Sequence, residues 1–295
     1  MKVKKSKRKM TTLGSKSVKA KKLTRFIPQI RSRHPSHRVL RGRLPTFPFK
    51  TVVRFGSSTE LEDTRANGGR RVEINTTIGI GNSSNKRRMK DCFQRGNVQT
   101  ARWFTYVGNS LFDQTNDRNI QPKDLIFPII AKQNFGSRNN GNTKINTLAE
   151  FEEFTRKRRS NLRNYIFEQF YNYVREYRLH VTEEGCFYAC RKMMKRDTPD
   201  GDKWFKNDKN CVWVLPANPN FDKPSNWKDV ERECVKALKS CGLDFGAIDL
   251  RIQSSENPNP DFIVVEINSA PSFGAITAVK YKEMLVGLIN KKSRK

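Results

Sequence analysis

Acidic residues are missing from the start of this sequence. The first is Glu60, and residues 1–50 hold seventeen Lys or Arg and no Asp or Glu. More than half of the net charge of +29 therefore sits in the first fifty of 295 residues. A stretch of that composition has too little apolar surface to offset the entropy of ordering, so residues 1–48 are expected to be a disordered basic tail. Its charge suits a polyanion, which makes residues 1–45 a candidate for non-specific nucleic-acid binding. A solubilising tail without a partner fits the composition equally well.

Histidine is scarce too, with only His34, His37 and His180 in the chain. That argues against histidine-based acid–base chemistry, and no Ser-His-Asp or Cys-His arrangement suggests a protein nucleophile. His34 and His37 fall in the expected tail, and His180, in a strand, reads as structural. No apolar run approaches the roughly 20 residues that cross a bilayer, so no membrane association is expected. The N-terminus lacks the apolar core of a secretory signal, although its Arg/Ser-rich, acid-free character resembles a transit peptide. The six cysteines contain no C-x-x-C pair, which points to reduced thiols in a cytoplasmic compartment. Cys186 and Cys190 have no histidine beside them and read as small buried hydrophobes rather than half of a zinc site. A Walker loop is absent.

What is present is a series of strands and helices carrying polar residues at their ends. Thr51–Phe55 and Val72–Asn75 read as short strands, and residues 79–85 (GIGNSSN) as a loop. A basic helix over residues 86–95 follows, capped by Asn85 and closed by Gly96. Residues 108–125 read as a polar surface loop. Leu125–Lys132 is an apolar strand ending in Lys132, followed at once by QNFGSRNNGN, a Gly/Ser/Asn loop whose backbone donors could face an anion. Further on, a helix is expected over 148–158, a strand over 164–171 and a hairpin joining 176–181 to 185–191. A long polar connection (195–211) and a helix over 226–241, stopped by Gly242, come next. Residues 245–253 and 261–268 then form a second hairpin, before a last helix over 278–290.

That second hairpin concentrates the chemistry. Glu266 and Asn268 are two apart, so they share a strand face that Asp249 can reach from the partner strand, while Val265 and Ile267 face the other way. Two carboxylates and an amide oxygen are hard ligands suited to magnesium carrying a nucleotide phosphate. A solvated polar face is the alternative for the hairpin taken alone.

The order of these pieces carries more than any one of them. N-S-S-N-K, a strand ending A-K before F-G-S-R, then E-Q-F-Y, E-Y-R, G-L-D-F-G-A-I-D and E-I-N-S-A-P-S-F-G together resemble the ATP-grasp superfamily, the carboxylate–amine ligases. The resemblance covers roughly residues 50–290 and extends to ATP-grasp proteins encoded by tailed bacteriophages, including crAss-like phages. It implies an α/β (α+β) ATP-grasp fold, with the nucleotide between two α/β subdomains whose sheets are mostly antiparallel. The implied divisions are a short N-terminal region (49–122), an ATP-lid subdomain (123–195) and a metal-binding subdomain (196–292).

The resemblance also implies roles. Lys86, with Lys90 as the alternative, and Lys132 would hold the α and β phosphates. Gly136, Ser137 and Gly141 would lie in a loop over the γ-phosphate. Glu168, Gln169, Phe170 and Tyr171 would form the hinge that reads adenine, and Glu176 would bind the ribose. Arg178 and Arg191 would stabilise an acyl phosphate, and Asp249, Glu266 and Asn268 would hold one or two Mg2+ ions, or Mn2+ in their place. The implied substrates are a carboxylate and an amine. The moderately basic body favours an acidic peptide or protein by steering. Host cytoplasm is the location implied by a phage origin.

Overall fold

The computed structural model describes residues 24–32, 34–60, 71–136, 141–207, 209–254, 256–272 and 274–294. In chain order the elements are β1 (Gln29–Ser32), α1 (Pro35–Arg38), β2 (Lys50–Phe55), β3 (Arg71–Ile74), α2 (Thr77–Ser84), α3 (Lys86–Arg95), β4 (Trp103–Val107) and β5 (Ser110–Asp113). Then come β6 (Arg118–Ile120), β7 (Ile129–Gln133), β8 (Thr143–Ile145), α4 (Leu148–Lys157), β9 (Tyr165–Gln169) and β10 (Arg175–Thr182). The chain closes with β11 (Gly185–Met194), β12 (Cys211–Val214), α5 (Trp227–Cys241), β13 (Phe245–Ile252), β14 (Phe262–Asn268) and α6 (Ala275–Ser293).

Three sheets result among the described residues, and each buries an apolar cluster. The small parallel sheet β1-β2-β3 buries Ile30, Val53, Phe55 and Ile74 against Tyr281, Leu285 and Ile289 of α6. A six-stranded antiparallel sheet, ordered β6-β5-β4-β9-β7-β8, packs Phe104, Ile129 and Phe167 under Phe151 and Phe154 of α4. The five-stranded antiparallel sheet β12-β11-β10-β13-β14 is covered on one face by α5. The apolar stripe of α5 (Val230, Cys234, Leu238, Cys241) meets Leu179, Ile248 and Leu250. Gly242 ends α5 in the left-handed region at φ 72°, a conformation glycine takes without a Cβ penalty. All six cysteines are free thiols, and no helix among the described residues is long and apolar enough to cross a membrane.

Several expectations change. The basic tail does not reach residue 48: β1 pairs in parallel with β2, and Leu40, Leu44 and Phe47 are buried. His37 is buried as well, donating from Nε2 to the Pro271 carbonyl at 2.9 Å and accepting the Ser32 hydroxyl at Nδ1. Burial holds its pKa down at about 4. Charge hides these few apolar anchors from composition alone, and residues 1–23 lie outside the described residues. The expected loop at 79–85 is mostly α2, because Thr76 caps it through Gly79 N–H. Gly79 also lets it approach α5 closely. Residues 108–125 are not a surface loop, since buried Leu111 pairs with buried Ile120 and Arg102 neutralises buried Asp113.

The sheets also divide the chain elsewhere than at 123 and 195. The six-stranded sheet runs from residue 103 to 169, and the five-stranded sheet already begins at 175. The reason is that β10 pairs with β13 as well as β11, a long-range choice that periodicity does not carry.

Gly79 offers a test of the α2–α5 approach. A Cβ there would fall 2.4 Å from the Gly242 carbonyl oxygen and 2.9 Å from its carbon. Gly79→Ala is therefore expected to destabilise the protein by about 1–3 kcal/mol. Helix propensity alone would stabilise it by about 1 kcal/mol, so the sign of the shift in denaturation midpoint decides between them.

Candidate functional site

The face of the five-stranded sheet opposite α5 carries a charged cluster. Strand register sets its membership: Arg178 lies opposite Asp249, Glu176 opposite Lys192 and Arg251, and Asp249 opposite Glu266. Arg178 forms a two-pronged bond to Asp249 at 2.6 and 2.7 Å. Lys192 bridges Glu176 at 2.7 Å and Asp249 at 3.3 Å, and Arg251 reaches Glu176 at 3.2 Å. Trp213 on edge strand β12 lies beside the Arg178 guanidinium and the Lys192 ammonium, 4.8 and 5.2 Å from its ring.

Burial would push the Asp249 carboxyl up, but Arg178 and Lys192 overturn that and hold it well below its usual range. Glu176 is held down against burial by Lys192 and Arg251. The Lys192 ammonium is stabilised despite burial by Asp249 and Glu176.

A second charged cluster joins the six-stranded sheet to α3. Buried Glu168 of β9 receives Lys132 Nζ at 2.6 Å, and Lys90 Nζ lies 3.2 Å from its other oxygen. Lys90 also donates to Thr100 Oγ1 at 2.6 Å, and Thr100 Oγ1 donates onward to the Val264 carbonyl of β14 at 2.7 Å. Burial raises the Glu168 carboxyl, but Lys132 and Lys90 reverse this and bring it to about 2. Burial lowers Lys90 to about 8, with Glu168 opposing the shift. Lys86 is lowered by burial as well. Its backbone N–H bonds the Asn134 carbonyl, and its Nζ bonds the Gly136 carbonyl at 2.8 Å.

The sequence-derived candidates therefore sort into groups. Lys86 at the start of α3 lies together with Lys132, Gly136 and Glu168 where α3 meets the six-stranded sheet. Arg178, Asp249, Glu266 and Asn268 lie together on the facing sheet. Gln169 and Phe170 use their N–H groups on the Arg102 and Pro128 carbonyls, and Tyr171 sits 5.4 Å from Tyr173, ring to ring. Gly141 takes a φ of 77° against the Gln133 side chain, and Ser137 lies outside the described residues. Glu176, expected at the ribose, is buried and closed on Lys192 and Arg251.

Arg191 does not join the cluster. It lies 5.7 Å from the ring of Tyr177 on the α5 face and bonds the Asn220 carbonyl and Asp222. The cause is a bulge. Near the turn, Thr182 pairs with Gly185 and Val181 with Cys186, but His180 pairs with Tyr188. One extra residue shifts the register, so Lys192 rather than Arg191 stands opposite Glu176. Lys192 thus joins the charged cluster, where the resemblance implied Arg191. A second bulge at Val265 puts Val264 and Ile267 in the core, where simple alternation expected Val265 and Ile267.

Among the described residues, no three His, Cys, Asp or Glu side chains group closely enough to hold a metal. The candidate magnesium set has only two carboxylates. Glu266 has no hydrogen bond or ion pair among the described residues, while the charges of Lys86, Lys90 and Arg178 respond to it. Asp249 is shared between Arg178 and Lys192, and Asn268 Oδ1 accepts from Ala270 N–H at 2.8 Å. Each carboxylate offers about four acceptor positions, so the oxygen set fits a divalent cation in kind, with Glu266 as its open ligand.

Glu168 gives a sharp stability test. Its folded pKa of about 2 lies below the ordinary 4.5, so its contribution is full above pH 4.5 and is lost as pH falls toward 2. Glu168→Gln leaves two buried lysines without their counter-ion, and a loss of about 3–5 kcal/mol at neutral pH is expected. Urea unfolding from pH 3 to 7 checks this. Equal midpoints for both proteins at pH 7 would show the carboxylate to be dispensable.

No protein-family model matches the sequence, and no curated protein matches it. Solved structures do match in fold. D-alanine–D-alanine ligase from Bacillus anthracis superposes with a TM-score of 0.58 at 13% identity, covering 83% of this chain and 80% of that one. The same ligase complexed with ATP gives 0.56 at 12%, covering 82% and 78%. Carboxyaminoimidazole ribonucleotide synthase from Aspergillus clavatus, complexed with ATP, gives 0.52 at 13%, covering 74% and 53%. At such identities the likeness establishes the fold: the chain has the ATP-grasp architecture, mixed α/β with antiparallel sheets.

Proposed function

We propose that this protein is an ATP-dependent ligase that joins a carboxylate to an amine through an acyl phosphate. The observation that carries the reading is the pairing of two facing charged clusters, Lys86, Lys90 and Lys132 on one side and Arg178, Asp249 and Glu266 on the other. Together they suit a bound polyphosphate better than either suits structure alone. Two of the solved structures of this fold are complexes with ATP, which supports a nucleotide between the clusters.

In this reading Lys132 and Lys86 neutralise the phosphates, and Lys86 anchors the phosphate loop through the Gly136 carbonyl. The adenine edge meets Tyr171 and the hinge carbonyls, since the N–H groups of Gln169 and Phe170 are committed to the sheet. Asp249, Glu266 and Asn268 would hold magnesium, which when bound screens the transferring phosphoryl group and polarises it. The substrate carboxylate attacks the γ-phosphorus, ADP leaves, and the amine then displaces phosphate from the acyl phosphate and loses a proton. Arg178, fixed by Asp249, and Lys192 stabilise the charge that develops on the phosphoryl oxygens. No protein nucleophile takes part. The excess of cations favours a substrate carboxylate on an acidic peptide or protein, and the sequence likeness makes a phage origin part of this proposal.

Magnesium-dependent ATP binding by calorimetry is the first test, and Lys132→Met is expected to weaken it at least tenfold. An ATPase screen over carboxylates and amines, with product masses, then identifies the reaction. Glu266→Gln is expected to lower turnover about 10²–10³-fold with an unchanged unfolding midpoint. ATP binding without turnover on any acceptor would favour a silent protein that retains the fold, and phosphorylated product without an amide would make it a phosphotransferase.

A further inference from the structure

A further concentration of charge flanks Asn134 and Phe135 and takes no part in the proposed chemistry. Arg156, Lys157, Arg158, Arg159 and Arg163 fall within eight residues at the end of α4 and the turn that follows. All but Arg158 are exposed. The acids of α4 precede this basic run, and of these Glu153 pairs with Lys157 while Glu150 bonds Asn146. The first turn of α3 presents Arg87 and Arg88 beside Lys86 and contains no acid. Cations at a helix N-terminus oppose the helix dipole, a cost that a bound anion would offset.

Asn134 brings the two basic segments together. Its N–H bonds the Asn164 carbonyl at 2.8 Å, its side chain bonds the Arg163 carbonyl at 3.1 Å, and its own carbonyl accepts the Lys86 N–H at 2.9 Å. The next residue, Phe135, is 70% exposed. We infer that this belt, with Phe135 at its centre, is a binding surface for single-stranded nucleic acid.

Arginine predominates, and its planar fork matches phosphate oxygens. An exposed ring among cations is a platform on which an unpaired base stacks, whereas a duplex offers it no base face. A protein partner would need a larger apolar centre than one phenyl ring. The surface is built from residues 86–88, 135 and 156–163, distinct in sequence from the basic N-terminus, and does not rest on the ligase reading.

The test uses the full chain and a fluorescein-labelled oligo(dT) of about 16 nucleotides, followed by anisotropy across a salt series. The triple variant Arg156→Ala, Arg159→Ala, Arg163→Ala is expected to lower the slope of log affinity against log salt by about 2. Magnesium–ATP affinity and unfolding midpoint should stay unchanged. Phe135→Ala is expected to weaken oligo(dT) about tenfold. An unchanged slope in the triple variant would overturn the assignment. So would displacement of the label by poly-L-glutamate or by duplex DNA as readily as by unlabelled oligo(dT).

Discussion

Glu168 is the carboxylate on which the two halves of this molecule depend. It belongs to the central strands of the six-stranded sheet, yet it neutralises Lys90, which stands on a helix packed against the five-stranded sheet. Three buried charges are held in one place, and each alone would cost several kcal/mol to bury. Their mutual satisfaction fixes the distance between the sheets. The same arrangement leaves one more positive charge than negative in a buried setting, a standing preference for an anion between the sheets.

The facing cluster follows the opposite logic. Arg178 and Lys192 lock Asp249, and Lys192 with Arg251 locks Glu176, so the cations are oriented before any ligand arrives. Preorganised charge of this kind needs no rearrangement when a phosphoryl group develops negative charge. Trp213 lies on the edge strand beside both cations and limits how far they can swing. Glu266, left without a partner among the described residues, completes the set as the group most open to a cation.

Much of this was legible in the chain. Lys132 near a strand end before a Gly/Ser/Asn loop, and Asp249 opposite Glu266 in a hairpin, depend on local patterns of strand, turn and parity. Arg191, named through the family resemblance, faces α5 because one bulged residue shifts the register beyond it, and no propensity marks where a hairpin bulges. The loop read into residues 79–85 is a helix that Thr76 caps, and its Gly79 fits against the end of α5, far away in sequence.

The sequence by itself determined the chemistry available: which cations, carboxylates and amide oxygens exist, and in what order along strands and helices. Those features are local, set by side-chain type and the periods of two and 3.6 residues. Only the tertiary structure decided which of them meet. It set Lys90 against Glu168, put Lys192 rather than Arg191 opposite Glu176, and paired Gln29–Ser32 with β2 where a tail was expected. Each of these turns on long-range pairing, where burial and register outweigh any local preference.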